Sequence, residues 1–157
     1  MGRWLALAAV LWPAALGTAV WARQSGSSTS SVLSSVLYLA ASKVCHQRPD
    51  RSFFTHDVQW PVCGRCSGLY LAAPIGALAA LAGGRRSKLS GLPARLGIAA
   101  LPTLITIAVE WLGLMPVSSM VRALAALPLG AAIAFALVAV VEGERVKGMR
   151  LSKYTQR

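Results

Sequence analysis

Long uncharged runs alternate with short polar stretches along this chain, and that alternation sets its elements. No charge occurs from Trp4 to Ala22. Roughly 18 or more apolar residues suffice for a helix to cross the ~30 Å hydrocarbon core. Residues 1–22 therefore predict a first transmembrane helix, interrupted by Pro13 and bracketed by Trp4 and Trp21, which suit the two interfaces. The same stretch also reads as a cleaved secretory signal, since Arg3 precedes the run and Val20-Trp21-Ala22 ends it on a small residue. Its length favours the retained helix, and either reading places residue 23 onward outside the cytoplasm.

Residues 23–31, RQSGSSTSS, predict a polar linker. Residues 32–44, VLSSVLYLAASKV, are apolar but too short to span. They predict an interfacial or re-entrant helix that delivers Cys45 to the membrane surface, or a helix packed against the bundle. Residues 45–66 form a motif loop. Three further spans follow at 67–84, 96–114 and 121–141, the last two joined by a turn around Pro116–Ser119, and a polar, basic tail fills 142–157. Ala72, Gly76, Ala80 and Gly84 recur at four-residue spacing, as do Ala126, Gly130 and Ala134. Such stripes let helix backbones approach closely in lipid, within the bundle or between copies in a homo-oligomer. The expected fold is an all-α, single-domain membrane bundle of about four transmembrane helices, with a Cys/His loop and a short interfacial helix between the first two.

Composition agrees. The chain is 55% hydrophobic and 13% charged, against about 25% charged in soluble domains. Its net charge of +11 would suggest nucleic acid on a soluble protein. Here the basic residues lie in short loops and the tail beside the spans, as the positive-inside rule and anionic headgroups would produce, so no nucleic-acid partner is expected. With four spans, Arg3, Arg85, Arg86, Lys88, Arg95, Arg145, Lys147, Arg150, Lys153 and Arg157 share one side. Arg23, Lys43, Arg48, Arg51, Arg65 and Arg122 share the other, in a longer stretch. The bias predicts cytoplasmic termini and an extracytoplasmic Cys/His loop. A fifth span at 32–44 would invert it.

The chemistry-bearing residues concentrate in 44–70, which holds all three cysteines (Cys45, Cys63, Cys66), both histidines (His46, His56), and Asp50 and Asp57. Threading the topology brings Glu110, near the end of the third span, and Arg122, opening the fourth, to the same membrane face. There they join Cys45, His46, Gln47, Arg51, Cys63, Arg65 and Cys66. An odd cysteine count cannot be fully closed by intrachain disulfides; it suits a three-thiolate metal site, or one redox pair plus a spare. Cys63-Gly64-Arg65-Cys66 makes a knuckle whose sulfurs reach one ion, and tetrahedral zinc accepts three cysteines and a histidine at about 2.3 Å and 2.0–2.1 Å. Cys45, Cys63 and Cys66 are the expected thiolates. The fourth position falls to His46, His56, Glu110 or water. His46 diverges from its neighbour Cys45, so His56 is the sterically easier. Arg51 and Arg65 would favour thiolates, which helps metal binding and thiol redox chemistry alike. The bland readings stand beside these: Glu110 as an interfacial carboxylate paired with Arg122, Arg122 as a snorkelling anchor, Trp60 and Trp111 in an aromatic belt, and Asp50 and Asp57 as loop caps.

The stretches CHQRPDRSFF and PVCGRCSGLYLA resemble the prokaryotic membrane family catalogued as domain of unknown function 2085. The resemblance makes Cys45, His46, Gln47, Pro49, Arg51, Ser52, Phe53, Pro61, Cys63, Arg65, Cys66, Gly68 and Tyr70 motif positions, and EWLGL around Glu110 and MVRALAALPLG around Arg122 fit the family's acidic and arginine positions. It covers roughly residues 40–140. Asp50 stands where the family usually has Glu. His56 lies in THDVQW, where a Gly-containing segment is usual, so the resemblance shifts the fourth ligand towards His46 or Glu110. No activity comes with it.

Three functions follow. The first is a metal-binding membrane protein, holding zinc or else iron through Cys45, His46, Cys63 and Cys66, with Gln47, Arg51, Arg65 and Arg122 in support. The metal is structural, or activates water with Glu110 or His46 as the catalytic group. The second is a membrane thiol–disulfide oxidoreductase using the Cys63–Cys66 pair, although such relays usually need two pairs. The third is a non-enzymatic scaffold or carrier, working with a membrane-associated partner. The lipid bilayer is the one partner common to all three.

Overall fold

The structure, a computed structural model, describes residues 1–25, 27–83 and 91–155, with side chains as far as residue 143. Of the residues behind the orientation argument, Arg85, Arg86 and Lys88 of the loop and Arg145, Lys147, Arg150, Lys153 and Arg157 of the tail lie outside the described side chains.

Among the described residues four helices are long and apolar enough to span a bilayer: α1 (Gly2–Gln24), α3 (Gly64–Ala82), α4 (Leu92–Trp111) and the Ser119–Gly143 part of α5 (Ser119–Thr155). A fifth helix, α2 (Ser28–Ser42), lies between α1 and the motif. At 1.5 Å per residue its 15 residues reach only about 22 Å, short of a span.

Several boundaries move for readable reasons. The expected 23–31 linker is partly helix, because Ser27 caps α2 by accepting from the Ser30 amide at 3.3 Å. Serine favours this position, where its oxygen satisfies an orphan amide. The third span starts at Leu92 rather than 96, with Pro93 in its first turn, where the missing N–H costs nothing. It stops at Trp111 rather than 114 in a Schellman turn. Gly113 adopts φ +66°, its amide donates to the Glu110 carbonyl at 3.2 Å, and the Leu114 amide donates to Val109 at 3.1 Å. Only glycine enters that left-handed well without strain. The tail continues α5 as helix to Thr155 instead of leaving it at residue 141.

The largest correction concerns the 45–66 loop. It contains a turn of 3₁₀ helix (Pro49–Arg51) and an antiparallel hairpin of β1 (Ser52–Thr55) and β2 (Val58–Cys63). Thr55 pairs with Val58, and Phe54 with Gln59, with a bulge between Ser52 and Phe54. His56 and Asp57 form the two-residue turn with φ of +48° and +61°. Two-residue hairpins need positive φ at both central positions to match strand twist, and His and Asp are among the residues that tolerate it. Trp60 belongs to this hairpin: its indole donates to Thr55 Oγ1 at 2.9 Å and its ring meets Phe53 edge-on.

The spans run up and down. The C-terminal ends of α1 and α4 and the N-terminal ends of α3 and α5 lie at the hairpin end, where Gln24 donates to the Thr55 carbonyl at 3.0 Å. At the other end the Gly2 amide donates to Glu142 at 3.1 Å. α3 and α5 share the most extensive interface. A Cβ on Gly76 would collide with the Ala131 carbonyl, so the backbones cross in contact, and the small-residue stripes, apart from Gly84, which lies outside the described residues, are used inside the bundle. Around this crossing Ala6, Ala77, Ala80, Ala134, Val138 and Ala139 form one buried cluster. α4 rests on α5, with Thr103 donating to the Ala125 carbonyl at 2.9 Å, and buries little else.

Candidate functional site

The three cysteines reach one place by three routes. Cys45 follows the frayed end of α2, where the Cys45 amide donates to the Ala41 carbonyl at 3.0 Å. Cys63 ends β2 and caps α3 in extended conformation. Cys66 lies one turn into α3, which starts at Gly64 rather than at Ser67. Cys66 and Arg65 are therefore helical, fixed to a rigid element. All three cysteines are free, and their sulfurs lie within 4.8 Å of one another. The Cys63 amide donates to Cys45 Sγ at 3.1 Å. Leu16, Ala41, Cys45 and Val62 form a buried cluster behind the sulfurs, flanked by Trp12 and Tyr70, whose rings meet edge to face at 6.0 Å.

The start of α3 controls Cys63. Hydrogen bonding from the Cys66 thiol, then from the Cys66 and Arg65 amides and the Cys45 thiol, holds the Cys63 thiol far below its ordinary range, at about 5, although desolvation pushes the other way. A thiol at a helix N-terminus meets amide donors and the positive end of the dipole, both of which favour thiolate.

The motif's polar residues tie the segment down. Gln47, at φ +49°, donates to the Tyr38 and Pro61 carbonyls at 2.8 Å each. Gln59 returns a bond to the Gln47 carbonyl at 2.6 Å. Ser52 donates to the Arg48 carbonyl at 2.8 Å, and Ser119 to the Ser52 carbonyl at 3.3 Å. Gln47 thus locks the turn after Cys45 to both α2 and β2.

Glu110 sits between two arginines. Arg65 donates to its Oε2 at 2.6 Å and Arg122 Nε to its Oε1 at 2.6 Å, with a further Arg122 nitrogen closing the fork. All three side chains are largely buried. Arg122 also reaches the Asp50 carbonyl at 3.5 Å. The convergence expected of Arg65, Glu110 and Arg122 with the cysteines is what the structure has. Both carboxylate oxygens are engaged by arginine, so Glu110 is a clamp on α3 and α5 more than an open ligand.

The cysteines open on a cavity of about 360 Å³ lined also by His46, Arg48, Arg51, Arg65 and Arg122. His46 is exposed there, and the cluster of mutually close ligand atoms consists of the three sulfurs without it. His56 stands on the hairpin turn and is not among the cavity's lining residues. Asp50 pairs with Arg48 at 3.1 Å and lies 3.6 Å from Arg51, as its loop role implied. Sequence reasoning missed Gln59, Ser119 and Tyr38. Tyr38 hydrogen-bonds the Gln59 carbonyl, and the Arg23 guanidinium lies 4.9 Å over its ring. The period-two pattern of 52–63 was the signal available for Gln59.

These observations define a helical, multi-pass membrane protein with a three-cysteine cluster at one end of its bundle. The chain belongs to a family of membrane proteins: the model described as "Predicted membrane protein (DUF2085)" matches residues 45–136, more than half of it. It is 43% identical over 44 residues to an uncharacterized protein of Methanocaldococcus jannaschii, covering 28% of each chain. It is 47% identical over 30 residues to an uncharacterized protein of Methanothermobacter thermautotrophicus, covering 19% of this chain and 27% of that one. The matched stretches thus span under a third of these curated relatives. No solved structure matches the chain.

Proposed function

We propose that this protein is a membrane metalloprotein in which Cys45, Cys63 and Cys66 hold one soft ion, zinc in the first place and iron in the second. The observation that carries this reading is the gathering of three free sulfurs within 4.8 Å of one another from a loop, a strand and a helix. A redox pair needs only two of them. A third, brought from the far side of a hairpin, suits a tetrahedral thiophilic ion. His46, which lines the same cavity, or a water completes the shell. The Arg65–Glu110–Arg122 clamp supports the cluster by fixing the first turn of α3.

The cluster faces the extracytoplasmic side, with both termini cytoplasmic. The excess of basic residues in the N-terminus, the 84–95 loop and the tail supports this orientation; the pairing of Gly2 with Glu142 supports only that both lie at the bundle end away from the cysteines.

The test is elemental analysis of detergent-purified protein beside the triple variant Cys45→Ser, Cys63→Ser, Cys66→Ser. Near-stoichiometric zinc or iron that disappears in the variant is expected. Metal-free protein whose Cys63–Cys66 disulfide opens with reductant would replace this reading with thiol–disulfide exchange. One observation favours that second reading: the depressed Cys63 thiol at the start of α3 is the arrangement that attacks disulfides.

A further inference from the structure

The cavity in front of the sulfurs has an unusual charge balance. Arg48, Arg51, Arg65 and Arg122 all line it, and among the described residues no acidic side chain does. Two carboxylates stand nearby and each is shared. Glu110 lies between Arg65 and Arg122. Asp50 lies between Arg48 and Arg51, half-exposed. Four guanidinium groups thus share two acids, beside a histidine.

The donors are also under-used. Nε of Arg65 is buried with no hydrogen-bond acceptor, and Nε of Arg51 is buried with only the Asp50 carboxylate 3.6 Å away, beyond hydrogen-bond reach. A buried donor left unmade is costly, so such atoms mark where an acceptor belongs. Arginine forks match the oxygens of phosphate in geometry and charge. The N-termini of α3 and α5 open at this end of the bundle, and the dipoles of both favour an anion there. Two of the helices long and apolar enough to span begin at Gly64 and Ser119, close in sequence to the lining residues Cys63, Arg65 and Arg122, so the cavity lies at the end of the apolar spans, where headgroups would be.

We propose that this cavity binds a phosphate-type oxyanion, through the guanidinium groups of Arg48, Arg51, Arg65 and Arg122, directly in front of the cysteine sulfurs. The proposal rests on the reading of this cavity as the functional site, and it adds the class of ligand that the site takes. The same chemistry is offered by free inorganic phosphate and by the phosphate of a phospholipid headgroup. Its volume of about 360 Å³ admits either the free ion or one headgroup.

The double variant Arg48→Gln, Arg51→Gln removes two of the four groups and leaves the Glu110 clamp intact. Arg95→Gln, on α4 outside the cavity, controls for loss of charge. Full-length protein in detergent is titrated calorimetrically with sodium phosphate. The same proteins, extracted from phospholipid nanodiscs, are weighed by native mass spectrometry for retained lipid, and metal content is measured on every sample. Saturable phosphate binding that weakens roughly tenfold or more in the double variant, the worth of at least one charge-assisted hydrogen bond, and stays unchanged in Arg95→Gln supports a free-ion ligand. One retained phospholipid, lost in the double variant and kept in Arg95→Gln, supports a headgroup. The proposal is overturned if neither ligand binds, or if binding is equal in all three proteins. Metal-free protein that still binds phosphate or lipid in this pattern sinks the metal reading and leaves the anion site standing. Metal-loaded protein that binds neither does the reverse.

Discussion

The backbone amide of Cys63 donates to the sulfur of Cys45 across 3.1 Å, although the two residues are eighteen apart in sequence. This bond separates two properties of Cys45. Cys45→Ala removes both a sulfur of the proposed metal site and the acceptor of a part-buried amide, so under the metal reading it should lose metal, and in any case about 1–3 kcal/mol of stability. Cys45→Ser keeps an oxygen acceptor and loses the soft ligand. It should lose metal as completely while recovering part of the stability. Metal content and thermal melting in detergent, measured on both variants, check this; equal melting losses would show that the bond carries no stability.

Glu110→Ala leaves two largely buried arginines without their shared partner. Breaking a buried pair from one side costs about 3–5 kcal/mol, and here one carboxylate serves two cations. The melting temperature should fall further in Glu110→Ala than in Arg122→Gln, which leaves the Arg65–Glu110 pair in place. A smaller fall in Glu110→Ala would contradict the clamp.

Cys63 sets a pH dependence in metal-free, reduced protein. Its folded-state value is depressed to about 5 from an ordinary 9. Iodoacetamide should therefore label Cys63 at a rate nearly constant above pH 6 and falling as pH drops through about 5. By the same sign, the stability contributed by Cys63 ionisation is fully present above pH 9 and is lost as pH falls through about 5. Mass-mapped alkylation rates from pH 4 to 9 check the first statement. A rate still rising steeply between pH 7 and 9 would reject it.

Asp57→Gly tests the hairpin turn. Asp57 holds φ +61°, a conformation that costs a non-glycine residue of order 1–3 kcal/mol and glycine little. The variant should be more stable by roughly 1 kcal/mol with metal content unchanged. A loss of stability would place the turn in another conformation.

Gly76→Leu tests the α3–α5 crossing. A side chain there meets the Ala131 carbonyl, and backbone yields less than the far end of a side chain. The cost should exceed the ~1–3 kcal/mol usual for core overpacking. Gly97→Leu, at a glycine with open space around it, is the matched control. Size-exclusion profiles and melting curves of the two variants check this.

The spans were legible because their signal is length and lack of charge, which lipid imposes directly. The meeting of Arg65, Glu110 and Arg122 followed from alternating the spans. The hairpin was not legible from its turn, since His56-Asp57 replaces the Asn-Gly or Asp-Gly pairs that mark such turns, and Pro61 falls in its second strand. The start of α2 was hidden because Ser27 to Ser31 read as linker by composition, whereas one of them caps the helix. The beginning of α3 moved three residues because β2 runs into it without a loop, which no pattern of apolar residues records. The exclusion of His56 from the cavity came from the family resemblance rather than from spacing, which had favoured it.

Arg65, Glu110 and Arg122 leave the ribosome in that order, each on a different helix. Once the third span is made the chain carries the first arginine and the carboxylate, whose charges balance, and only the last span brings the second arginine and its unbalanced charge. The Ser119 hydroxyl that reaches the hairpin carbonyl of Ser52 arrives with it. The cysteines are therefore synthesised early, while the cationic wall in front of them is completed last. Nascent chains halted before residue 122 carry all three thiols without the finished cavity.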